Sequence, residues 1–329
     1  MKTASVFKQV KKIDKIFKKM NKSVLQFLKE EYIYLCVVVV FCVLIGMLLI
    51  LQNVKDQMTG LTIKSDPFPH FENAAYPVLE HTYTPQLSAQ AAYILDVSSH
   101  VAIYSKNENL RFAPASTTKL ITALTALDYF HPDDILVAKN PNVVPVVLGL
   151  TKGERMTFEN LLYAMLVPSA NDAALTVAQN YPGGIDAFIH KMNDKVTLLG
   201  LHNSHYEDAV GLNDDEDYTT VHDLAIILSY ALSHPLLSQV MDTPTTTITS
   251  VEGEKYTIRT TNELLGRYGV YGGKTGYTEE AGEVLVSSTK MNDGHTYIIV
   301  VMKSDDRFGD TQKLLTLIQD NITYQSIHP

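Results

Sequence analysis

The chain has 329 residues, a formal net charge of −9, 46% hydrophobic residues and two cysteines. The charge is unevenly distributed: residues 1–31 carry nine lysines against Asp14, Glu30 and Glu31, a net of +6, leaving −15 for residues 32–329. That acidic remainder argues against a nucleic-acid partner, which needs a positive stripe. Both cysteines, Cys36 and Cys42, sit in one apolar run, so the residues after it can form no disulfide or cysteine-ligated metal site.

In the first segment Val6, Phe7, Val10, Ile13, Phe17 and Met20 recur at helical spacing among the lysines. This tail is either a basic amphipathic helix on an anionic inner leaflet or a solvated cytoplasmic segment. Tyr32 to Leu51 is an unbroken run of twenty apolar or weakly polar residues, about 30 Å as a helix and long enough to cross a bilayer. Gln52-Asn53-Val54-Lys55-Asp56 follows it, without the small-residue pattern of a cleavage site, so the run reads as an uncleaved signal anchor. The lysines on its N-terminal side place the N-terminus in the cytoplasm and the rest of the chain outside, giving a single-pass cell-membrane protein. Residues 52–85, spotted with Pro67, Pro69, Pro77 and Pro85, read as an extracytoplasmic spacer.

Residues 86–325 read as one folded domain. Ala91 to Val97 and Val101 to Ser105 form two short strands around Ser98, Ser99 and His100. Ser116 to Phe130 is apolar nearly all round and reads as a buried helix. Helical patterning continues over Glu159–Leu166, Asp172–Gln179, Ile185–Leu199 and Thr220–Leu232. The period then changes: Tyr271–Thr278, Glu283–Lys290 and His295–Met302 read as strands, the last two joined at Asn292-Asp293-Gly294, and Thr311–Ile322 reads as a closing helix. Strands at both ends with helices between imply an α+β sandwich: an antiparallel sheet of about five strands with helices on its faces.

Three short patterns could carry chemistry. Ser116 and Lys119, three apart at the start of the buried helix, share one helical face. A serine hydroxyl needs a base, and a lysine amine can serve when burial and the positive end of the helix dipole lower its pKa. The same spacing at Ser5–Lys8 and Ser287–Lys290 lacks that setting, since one pair lies in the basic tail and the other on a strand, where residues three apart point to opposite faces. Ser169-Ala170-Asn171 follows Pro168 in a loop between helices, where it can present a hydroxyl and an amide. Lys274-Thr275-Gly276 lies on a strand whose glycines allow close backbone approach, and Lys274 could hold a substrate carboxylate.

In this order the three patterns form a signature set. With the flanks Pro114-Ala115-Ser116-Thr117-Thr118-Lys119-Leu120, Ser169-Ala170-Asn171-Asp172, Thr219-Thr220-x-x-Asp223 and Lys274-Thr275-Gly276-Tyr277-Thr278, the chain resembles the D-alanyl-D-alanine carboxypeptidases, low-molecular-weight penicillin-binding serine DD-peptidases of bacteria, over about residues 88–318. The resemblance implies a Ser116 acyl-enzyme on peptidoglycan stem peptides ending in D-Ala-D-Ala, with β-lactam antibiotics as inhibitors and no cofactor. It further implies Lys119 as general base, Ser169 as proton carrier and Asn171 as the group positioning the substrate amide. Lys274, Thr275 and Arg307 would meet the terminal carboxylate. The Ser116 and Tyr277 N–H groups would form the oxyanion hole, and Gly276 to Thr278 would pair with the peptide.

One departure is Asp208-Ala209-Val210-Gly211-Leu212, which lacks the Asn-Pro often found before Gly-Leu in the family and leaves the form of that loop open. A DD-endopeptidase acting on cross-links would use the same residues and remains an alternative. A β-lactamase is a weaker one, because the Glu-x-x-Leu-Asn pattern is absent: Ala209 stands where the glutamate would be and Glu207 is out of register. A wall-binding protein without turnover is weaker too, given the intact motif residues. His202, His205, His222 and His234 form no His-Glu-x-x-His pattern, so no metal site is expected.

Overall fold

A computed structural model describes residues 75–141, 145–213, 215–292 and 294–326, together with 44–47 and 52. The basic tail, and the apolar run at 32–51 apart from helical residues 44–47, lie outside the described residues. Among the described residues no single helix is long and apolar enough to cross a membrane.

The first elements are β1 (Ala75–Leu79), β2 (Ala91–Asp96) and β3 (Ala102–Lys106), followed by a 3₁₀ turn at Ala115–Thr117 and helix α1 (Thr118–Leu127). Two three-residue strands, β4 (Ile135–Val137) and β5 (Arg155–Thr157), precede α2 (Phe158–Leu166), α3 (Asn171–Asn180), α4 (Gly184–Leu198), α5 (Val221–Ser233) and α6 (Pro235–Met241). The chain closes with hairpin β6 (Thr245–Thr249) and β7 (Lys255–Arg259), strands β8 (Val270–Thr278), β9 (Gly282–Lys290) and β10 (Thr296–Ser304), helix α7 (Arg307–Ile318) and β11 (Ile322–Ser326).

The main sheet has five antiparallel strands in the order β3-β2-β10-β9-β8, the α+β arrangement expected from strands at both ends of the domain. All six residues of β2 are buried. Helices cover both faces, so alternate side chains enter two different cores. Tyr93, Leu95, Val284, Val286, Ile298 and Val300 join the large core with the helices α1 to α6. Ile94, Leu285, Tyr297, Ile299 and Val301 meet Leu314, Leu317 and Ile318 of α7 on the other side. Eight of the ten residues of α1 are buried, which is why that segment shows no polar face in the sequence.

Three differences from the sequence reading have physical causes. The predicted spacer ends too late, because β1 lies inside it and pairs antiparallel with β11, Leu79 opposite Ile322. The predicted closing helix is displaced by one turn: α7 starts at Arg307 and stops at Ile318, and Ile322 opens β11. Helix α6 and the β6–β7 hairpin have no counterpart in the sequence reading. Pro235 starts α6 at its first turn, bending the path by 109° from α5. Each strand of the hairpin buries fully only one side chain, Ile248 or Ile258, leaving a threonine-rich surface with little hydrophobic signal.

Candidate active site

The 3₁₀ turn that carries Ser116 faces β8, an edge strand of the sheet. Gly276 makes that approach feasible: a Cβ there would lie 3.1 Å from Pro114 O and 3.2 Å from Ser116 N. The strand thus passes directly beside the serine backbone, with Tyr277 and Thr278 following on the same open edge. Ala115, immediately before the serine, has φ +48°, and Ser169 has φ +70°. Two of the expected site serines therefore adjoin or occupy the left-handed region, where backbone strain is stored only if surrounding packing enforces it.

Lys119 is fully buried, with its Nζ 2.9 Å from Ser116 Oγ and 2.7 Å from the Val210 carbonyl. Burial lowers its pKa to about 7, with nearby Asp208 acting in the opposite direction. A neutral amine there offers a lone pair to the serine hydroxyl while an N–H donates to Val210. Lys274 is also buried although it lies on an edge strand, and its Nζ donates to Ser169 Oγ at 2.8 Å and to the Thr275 carbonyl at 2.9 Å. Burial, then the charges of Lys119 and Arg307, hold its pKa well below the usual lysine value.

Asn171 opens α3 and is buried; its N–H donates to Val146 O at 2.7 Å, while its Oδ1 has no hydrogen-bond partner among the described residues. Next to it, the Asp172 carboxylate accepts the N–H groups of Leu148, Gly149 and Leu150, tying the preceding loop to the helix start. Arg307 opens α7, and its Nη1 donates to Gly276 O at 2.9 Å, while its buried Nε has no partner among the described residues. Thr275 Oγ1 lies 2.6 Å from Thr261 Oγ1, a contact made by a residue absent from the sequence reading. The Tyr277 side chain is exposed.

The structure brings all the expected site residues to one end of β8 and the adjoining helix starts. Thr219-Thr220-x-x-Asp223 is different, because its geometry is that of a helix cap. Thr220 accepts the Asp223 N–H at the start of α5, and the Asp223 carboxylate accepts from Ser204 Oγ and Asn203 N while contacting His222 Nδ1 at 3.0 Å. His205 contacts Glu207 at 2.6 Å. Among the described residues, no group of three His, Cys, Asp or Glu side chains is placed to hold a metal ion.

The loop whose form the sequence left open folds around a single carboxylate. Asp208 Oδ1 accepts the N–H groups of Val210 and Gly211, and Oδ2 accepts those of Leu212 and Asn213. Sequence reasoning missed this function of Asp208. The available signal was an aspartate two residues before a Val-Gly pair, a setting in which the side chain can cap its own turn.

Residues 79–306 match the family described as D-alanyl-D-alanine carboxypeptidase, the S11 peptidases. The chain is 34% identical over 232 residues to a D-alanyl-D-alanine endopeptidase of Pseudomonas aeruginosa, covering 68% of this chain and 73% of that protein. It is 28% identical over 252 residues to the D-alanyl-D-alanine carboxypeptidase DacF of Bacillus subtilis, covering 74% of this chain and 65% of that protein, just under two thirds of its length. The fold superposes on the crystal structure of the Streptomyces K15 DD-transpeptidase with a TM-score of 0.68 and 30% identity, covering 72% of this chain and 98% of that one. With that match spanning both the helical region and the five-stranded sheet, the chain belongs to the S11 family of D-alanyl-D-alanine carboxypeptidases and is a peptidase, a hydrolase.

Proposed function

We propose that this protein is a membrane-anchored serine carboxypeptidase that removes the terminal D-alanine from peptidoglycan stem peptides. The observation that carries the reading is the buried Lys119 amine, with its pKa near 7, at 2.9 Å from Ser116 Oγ. Lys119 takes the hydroxyl proton as Ser116 Oγ bonds to the carbonyl carbon between the two D-alanines. The Ser116 and Tyr277 N–H groups stabilise the oxyanion. Collapse breaks the C–N bond, and the proton passes through Ser169 to the departing amine, releasing D-alanine and leaving an ester on Ser116. Water then hydrolyses that ester.

The terminal carboxylate binds near Thr275, Lys274 and Arg307. A carboxylate arriving there favours the charged form of Lys274, which burial otherwise disfavours. The peptide backbone pairs with Gly276 to Thr278 on the open edge of β8, and the unpartnered Oδ1 of Asn171 accepts a substrate N–H. β-Lactams would acylate the same serine. The apolar run at 32–51 supports a single-pass cell-membrane location with the catalytic unit outside, and resistance of the N-terminal tail to external protease on intact cells tests that placement.

Cleavage of D,D cross-links is the second reading, favoured by the endopeptidases among the relatives. Full-length protein incubated with a pentapeptide and with a cross-linked muropeptide separates the two. Release of free D-alanine as the faster reaction supports the carboxypeptidase, while faster conversion of the cross-linked dimer to monomers overturns it. Ser116→Ala abolishes both reactions, and also the stable mass adduct expected with benzylpenicillin.

A further inference from the structure

The mechanism above leaves unexplained why Lys119 should aim its lone pair at Ser116. A neutral amine has two N–H groups and one lone pair, and rotation about its last bond exchanges them. The Val210 carbonyl, 2.7 Å from Nζ, occupies one N–H and limits that rotation. Its own direction depends on the peptide unit joining Val210 to Gly211, whose N–H points the opposite way because the peptide is planar and trans. That N–H is the one held by Asp208 Oδ1. Asp208 and Lys119 thus grip opposite ends of one peptide group.

The surrounding contacts leave the peptide little freedom. Gly211 has φ +83°, and a Cβ there would lie 1.8 Å from Ala115 O, so this peptide packs directly against the turn that carries the serine. The preceding carbonyl, Ala209 O, accepts Thr122 Oγ1 at 2.8 Å, tying the loop to α1 one turn beyond Lys119.

We infer that Asp208 is a positioning residue for the general base, fixing the Val210–Gly211 peptide so that its carbonyl orients the Lys119 amine toward Ser116. The inference rests on the serine-peptidase reading of the site. It goes beyond that reading by adding a group that never touches substrate, and by giving this chain's Asp208-Ala209-Val210-Gly211 sequence a function. The charge of Asp208 also favours the protonated form of Lys119, against burial. The other charged groups that bear on the pair are Lys274, next to Lys119, and Asp217 and Glu207, next to Asp208. Burial, with Asp208 and Glu207 nearby, pushes the Asp217 carboxyl up to about 8.

The test is the rate constant for acylation of full-length protein by benzylpenicillin from pH 5 to 10, for wild type, Asp208→Asn and Asp208→Ala, with thermal midpoints measured alongside. Both variants lose loop hydrogen bonds and melt lower, so stability does not discriminate. Asp208→Asn keeps an acceptor for the Gly211 N–H without the charge. Its high-pH acylation rate should stay within about threefold of wild type while the acid limb moves to lower pH. Asp208→Ala should lose tenfold or more at every pH.

A folded alanine variant that acylates at the wild-type rate overturns the inference. Should that variant not fold, an asparagine variant that folds yet loses tenfold or more at high pH overturns it equally, since it keeps the acceptor that is said to orient the base. Wild-type protein that forms no Ser116 adduct overturns the serine-peptidase reading itself, and the inference with it, so the two failures are distinguishable.

Discussion

Two buried ionic sites lie on opposite sides of the sheet and are built in opposite ways. On the helical side, Lys119 and Lys274 are fully enclosed, each amine hydrogen-bonds neutral oxygens, and burial lowers both pKa values. On the α7 side, Asp310 is equally enclosed but accepts from Ser88 Oγ, Ser88 N, Ala89 N and Ser304 Oγ and pairs with Lys313. These contacts outweigh burial and hold its pKa at about 2. A buried charge surrounded by donors contributes stability, whereas a buried amine with no carboxylate in contact costs stability and has its basicity lowered to suit neutral pH. The first arrangement fastens the entry of the chain at Ser88 to α7. The second prepares a proton acceptor.

Replacing Lys119 by methionine should break the comparison most sharply. Loss of the base lowers the penicillin acylation rate by about 10²–10⁴-fold. The thermal midpoint should hold or rise, because an apolar side chain of similar length replaces a desolvated amine. Stopped-flow acylation and calorimetry on one preparation check both halves, and a destabilised variant would mean that Lys119 is structural.

Asp310→Ala should do the reverse. Five donors lose their acceptor, so denaturant unfolding should show a loss of about 3–5 kcal/mol. Acylation per folded molecule should be unchanged. The pH dependence has a definite sign: the folded pKa lies below the ordinary carboxylate value of 3.8, so the Asp310 contribution is full above about pH 4. It is lost as pH falls toward 2. The wild-type stability advantage over Asp310→Asn should therefore shrink across that interval.

The smallest effect belongs to His222, half-exposed beside Asp223. The hydrogen bond to Asp223 raises the His222 pKa above 6.5. The contribution is complete below 6.5 and disappears as pH rises through the raised value. Solvent screening keeps it below about 1 kcal/mol. Thermal midpoints of wild type and His222→Gln should differ at pH 5.5 and converge at pH 8.5.

Much of the site is legible in the sequence because its chemistry is local. Ser116 and Lys119 meet by their spacing, the serine in the 3₁₀ turn and the lysine in the first turn of α1, and the decoy pair Ser287 and Lys290 is separated by strand geometry, with Ser287 buried and Lys290 exposed. Strands β2, β9 and β10 announce themselves through apolar runs that two cores bury from both sides. Strand β1 gives no such signal, since its pairing depends on β11, more than two hundred residues away. Asp208 signals at most a capped turn, because nothing in its neighbours in sequence reveals that the peptide it holds ends on Lys119.

Composition and order alone determined the acidic main segment, the sheet built from both ends of the domain and the three motifs, and the resemblance those motifs carry implied the class of reaction. They could do so because helix spacing, strand period and side-chain chemistry are properties of a few consecutive residues. The tertiary structure decided that Lys119 and Lys274 lose water, that Gly276 admits β8 to the Ser116 backbone and that one aspartate holds the loop behind the base. Solvation and contact between distant segments exist only once the chain has closed on itself, and both the basicity of the amine and its aim depend on them.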